Sequence, residues 1–185
     1  MSFDVICLIT QWAPAVAACR ESRGTDFYWN APDNPDGVDL PFAAERLYRG
    51  FDFIEAGVYY EILRGQLPSR LRDKADAFLG SVYHRLGPGC PDPPDDLADD
   101  VGFELARHEM YYSMRPATVR TVLGHARTVP WPEIEQAVTS ATMPPRNTRH
   151  DVREFEHFGS IVWFHQDWLE EADRTGRGLI ILLSH

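Results

Sequence analysis

Residues 178–184 read Gly-Leu-Ile-Ile-Leu-Leu-Ser, and residues 3–10 read Phe-Asp-Val-Ile-Cys-Leu-Ile-Thr. Both runs are short, almost wholly apolar and rich in strand-forming residues. A strand wet on one face alternates apolar and polar side chains, whereas a strand covered on both faces does not. The two runs therefore predict buried strands sharing one sheet, joined by helical material. The expected fold class is α+β, mostly helical, with a small sheet that includes these apolar strands near both termini. A chain of 185 residues with 44% hydrophobic residues can build one real core, so a single domain over residues 1–185 is expected.

The helical period is clearest from Val152 to Thr175, where Phe155, Phe158, Ile161, Val162, His165, Trp168, Leu169 and Ala172 recur at three- and four-residue spacing. Asp151 is the expected N-cap and Gly176 the expected C-cap. Further helices are expected over 15–23 with Gly24 as the stop, over 51–64 ending at Gly65, and over 68–86. Arg115-Pro116 opens another through about Thr128, and Glu133 to Ser140 a shorter one. Residues 41–49 suggest a turn or two of helix, and Met110 to Ser113 a strand. Residues 24–41, pinned by Phe27, Tyr28 and Trp29, read as a long loop, and residues 143–149 as another. Residues 87–100, Gly-Pro-Gly-Cys-Pro-Asp-Pro-Pro-Asp-Asp-Leu-Ala-Asp-Asp, read as a hinge without regular structure.

The formal charge is −10, from 18 basic and 28 acidic residues. Such a balance disfavours non-specific nucleic-acid binding and anionic membranes, which both demand a basic surface. The charge is uneven: residues 1–100 carry 17 acids and 9 bases, residues 101–185 carry 11 and 9. Much of the excess lies in two loop-like stretches, one holding Asp33, Asp36 and Asp39, the other Asp92, Asp95, Asp96, Asp99 and Asp100. The basic side is one lysine, Lys74, and 17 arginines spread along the chain. No apolar stretch reaches the roughly 20 residues of a membrane span, and Asp4 sits where a signal peptide would be basic, so a cytoplasmic protein is expected.

Catalytic signatures are sparse. Glu154-x-x-His157 has the spacing of a di-iron ligand pair, but no second such pair occurs. Glu104, His108 and Glu109 would bring two or three polar groups together on a helix. His165 falls on the apolar stripe and reads as a core histidine, or else as a catalytic group beside His157. These six residues are the catalytic candidates. No zinc spacing, nucleophile elbow, phosphate loop or EF-hand is present, and neither a metal nor another cofactor is expected. Cys7 and Cys19 read as small buried hydrophobes, and Cys90 as the thiol to test for reactivity. Aromatics, Trp163 and Trp168 among them, suit either core packing or a protein-binding face.

The run Tyr111-Tyr112-Ser113-Met114-Arg115-Pro116-Ala117-Thr118-Val119 precedes a helix, and the aromatic helix from Phe155 to Ala172 leads to Gly176-x-Gly178 and an apolar strand. Over residues 105–185 this order resembles the YfbM-like bacterial proteins, and Phe51 to Gly65 resembles their central helix in outline. The resemblance implies an α+β fold and a small cytoplasmic bacterial protein. That family has no known catalytic residues to carry over.

Three functions follow as expectations. The first is a binding module whose acidic loops, Asp92, Asp95, Asp96, Asp99 and Asp100 foremost, attract a basic protein partner. The second is a small-molecule enzyme using the His and Glu candidates. The third is an oligomer built by pairing of the C-terminal strand between chains.

Overall fold

A computed structural model describes residues 4–24, 33–34, 37–38, 40–49, 51, 53–83, 94–102, 110–138, 152 and 154–184. The first apolar run is strand β1 (Asp4–Thr10), followed by helix α1 (Trp12–Ser22). Two short strands, β2 (Asp33–Asn34) and β3 (Gly37–Val38), pair with each other inside the expected loop. Strand β4 (Ala44–Arg49) leads to helices α2 (Phe53–Gln66) and α3 (Ser69–Leu79). Helix α4 (Asp96–Val101) precedes strand β5 (Met110–Met114). Helices α5 (Pro116–Ala126), α6 (Trp131–Val138) and α7 (Phe155–Thr175) then lead to strand β6 (Gly178–Ser184).

The two apolar runs lie side by side. β1 and β6 pair antiparallel from Asp4↔Ser184 to Thr10↔Gly178, at the centre of a sheet ordered β4-β1-β6-β5. Their side chains alternate between two apolar layers. Val5, Cys7, Ile9, Leu179 and Ile181 face the larger core with residues of α2, α3, α5, α6 and α7. Ile6, Leu8, Ile180 and Leu182 face a smaller layer containing Ala15, Val16, Ala18 and Cys19 of α1 and Leu97 of α4. Cover on both faces is why neither strand alternates in sequence. Because β6 is paired on both edges, by β1 and β5, it presents no free edge for the expected pairing between chains.

Several boundaries differ from expectation. Residues 44–49, read as helix, form β4 against β1, from Thr10↔Ala44 to Val5↔Arg49. Ala, Glu, Leu and Arg favour helices by small increments, and an available strand edge outweighs them. Gly65 lies inside α2; the chain turns after Gln66, with Leu67 buried and Pro68 opening α3. α3 stops at Leu79, and residues 80–83 continue as turns. Residues 96–100, placed in the irregular stretch 87–100, belong to α4. Asp95 caps it by accepting the Ala98 N–H at 3.3 Å, Asp96 and Asp99 occupy its first turn, and Gly102 closes it at φ +80°. Aspartates at an N-cap and first turn stabilise a helix rather than break it. At the start of α7, Glu154 holds the N-cap position, without a side-chain cap, and the expected cap Asp151 lies outside the described residues. Gly176 takes the left-handed C-cap as expected, at φ +64°.

Gly178, the first residue of β6, carries a packing role. A Cβ here would overlap the Trp12 indole and come within 2.9 Å of the Met114 carbonyl oxygen. Gly178→Ala is expected to destabilise the fold by about 1–3 kcal/mol in urea denaturation. A variant with unchanged stability would show that Trp12 has room to withdraw.

Candidate functional site

The acidic residues come first, since sequence assigned them to a partner. Asp95 accepts the Ser113 hydroxyl at 3.1 Å, and that hydroxyl accepts the Leu97 N–H at 2.9 Å. Asp96 is almost fully buried and accepts the Arg115 N–H at 2.7 Å. Asp100 accepts the Trp12 indole N–H at 2.6 Å, its backbone carbonyl accepts Arg20, and Arg115 pairs with it at 3.4 Å. These three carboxylates tie α4 to α1 and to the β5–α5 corner, so their charge is spent inside the fold. Asp99 is exposed, and Asp92 lies outside the described residues.

The catalytic candidates are placed as follows. Glu104, His108 and Glu109 lie outside the described residues, as does Cys90. Glu154 and His157 are exposed at the start of α7. His165 is fully buried eight residues on, about 12 Å along the helix axis. The three described candidates therefore do not converge. Among the described residues no group of three or more His, Cys, Asp or Glu is placed to hold a metal ion.

His165 sits in a nest of rings. Centroids of Phe51, Phe53, Tyr83, Tyr112 and Trp168 lie 5.7, 5.7, 5.6, 6.1 and 5.1 Å from the imidazole. Its Nδ1 shares a 2.8 Å hydrogen bond with the Tyr112 hydroxyl, and either group can be the donor. Among the described residues Nε2 has no hydrogen-bond partner, nor do the Tyr83 hydroxyl and the Trp168 indole N–H. Burial lowers the His165 pKa to about 3, so the ring is neutral at neutral pH. Burial also raises the Tyr83, Tyr112 and Cys7 pKa values, keeping those groups protonated. This buried ring cluster packs α7 against β5 and the segment that leads into α2.

The exposed chemistry of α7 is on its other side. Trp163 is 58% exposed, one of two large hydrophobic residues so placed among those described, with Ile54 at 42%. It walls a surface cleft of about 180 Å³ together with Trp131, Phe155, Gly159, Val162 and Gln166. A second depression on its flank is lined by Glu156, Gly159, Ser160, Trp163 and Phe164. Glu156, Trp163 and Glu170 recur every seven residues and share one line along the helix. Gln166, a residue of the cleft wall, donates its amide N–H to Glu170 at 3.2 Å. Sequence did contain the separating signal: Trp168 belongs to the repeat 158, 161, 162, 165, 168, 169, 172 and Trp163 does not.

No family model, curated protein or solved structure matches the chain. No helix among the described residues is long and apolar enough to cross a membrane.

Proposed function

We propose that the chain is a binding module for a basic protein partner, docking on the aromatic face formed by α6 and α7. The observation that carries this reading is Trp163, more than half exposed at the wall of an apolar cleft. Interfaces are enriched in Trp that is half-covered in the free protein and fully covered in the complex. The chain's net charge of −10 supports a basic partner. The location differs from the one read in sequence, because Asp95, Asp96 and Asp100 already bind their own chain. The resemblance of residues 105–185 to the YfbM-like proteins adds no activity, that family being of unknown function.

Capture from native lysate tests the reading, with the intact chain and Trp163→Ala side by side at low salt and at about 0.5 M salt. The expected result is a partner held at low salt by the intact chain, released at high salt and not held by the variant. Equal capture by both chains, or no salt-sensitive partner, overturns it.

A further inference from the structure

We infer that the cleft between Trp131, Phe155 and Trp163 receives an arginine side chain from a basic amphipathic segment of the partner, its guanidinium stacked on the Trp163 indole. The inference rests on the docking reading above and specifies its chemistry.

Three observations carry it. First, the cleft is apolar and aromatic at its walls, while along the exposed line of α7 Glu156 and Glu170 flank Trp163 seven residues to either side, and Arg174, further along that line, is paired with Glu171. A ligand that fits must be apolar along its stem and cationic at its head, the build of a long basic side chain. Second, Gln166 lines the cleft and carries an amide oxygen able to accept a hydrogen bond, which suits a donor-rich group. Third, the same ridge already holds one such contact within the chain. The Trp163 and Phe164 rings adjoin, with centroids 5.7 Å apart, and the Arg49 guanidinium carbon sits 5.1 Å over the Phe164 ring. The indole of Trp163 is the stronger cation-binding face of the two and stands exposed. A planar guanidinium both stacks on that face and forks toward acceptors, which an ammonium cannot do.

The test is calorimetric titration of the full chain with a Leu/Arg amphipathic peptide and its Leu/Lys and Leu/citrulline counterparts. Citrulline keeps the shape of arginine and removes its charge. The Leu/Arg peptide is expected to bind about tenfold more tightly than the citrulline peptide, and Trp163→Ala to weaken it about tenfold. The double variant Glu156→Gln, Glu170→Gln is expected to flatten the salt dependence, which gives a reading independent of the indole. Equal binding of the arginine and citrulline peptides overturns the inference, as does equal binding of the arginine and lysine peptides. Self-association of the free chain that Trp163→Ala abolishes also overturns it, assigning the cleft to a second copy. If Trp163-dependent capture from lysate persists while no basic peptide binds, this inference falls and the docking reading stands. If capture ignores Trp163, the docking reading itself falls.

Discussion

Acidification from pH 6.5 to pH 4 is expected to cost about 3 kcal/mol of stability through His165 alone. The folded pKa is lowered to about 3 by burial, against an ordinary value of 6.5 for the unfolded chain. Between those values the unfolded state binds the proton and the folded state refuses it. The contribution is therefore intact above pH 6.5 and declines as pH falls, by about 1.4 kcal/mol per unit. The groups facing the ring, Tyr112, Tyr83, Trp168, Phe51 and Phe53, supply no carboxylate to hold a charged imidazole. The measurement is urea denaturation at both pH values on the intact chain and on His165→Leu combined with Tyr112→Phe. Removing both hydrogen-bonding partners avoids stranding one of them in the core. The double variant should lose the His165 part of the slope. A variant as acid-sensitive as the intact chain would assign that slope to other groups.

Trp168→Ala is expected to destabilise the protein by about 3–5 kcal/mol, a large share of the roughly 5–15 kcal/mol that holds most domains together. Trp168 is fully buried, stacked near Phe51 with centroids 6.4 Å apart and edge-on to His165 at 5.1 Å. Its removal opens a void between Phe51, just before α2, and His165 of α7. Trp163→Ala, five positions earlier on the same helix, should stay within about 0.5 kcal/mol of the intact chain, because its ring lies at the surface. The paired unfolding curves test the division of α7 into a structural and a docking face. Equal losses from the two variants would show that Trp163 is part of the packing.

The features legible in sequence were those set by long apolar periods. The runs now seen as β1 and β6 showed two-sided burial directly, and α7 and α5 showed their buried stripes, down to Val119, Val122, Leu123 and Ala126. Features set by partners distant in the chain were not legible. Ala44–Arg49 is a helix by composition and a strand by the edge that β1 offers it. Asp95, Asp96 and Asp100 look like solvent charges until Ser113, Arg115 and Trp12 arrive from elsewhere in the chain. The candidate site falls between these cases. The helix pattern sets Trp163 apart from Trp168, but the cleft needs Trp131 from α6, whose placement no local pattern records.

The pairing of β1 with β6 also sets an order of events in time. β1 is synthesised well before β6, and the ladder that joins Asp4 to Ser184 forms only once both are present. Until then β1 can recruit β4 on one edge only, with its other edge open and apolar residues on both faces. Closing a contact across so long a stretch of chain is entropically slow, and mixed α/β domains fold more slowly than bundles built of local helix contacts. A chain in which β1 has been made and β6 has not therefore carries a sticky half-sheet, and the pairing of β6 ends that exposure.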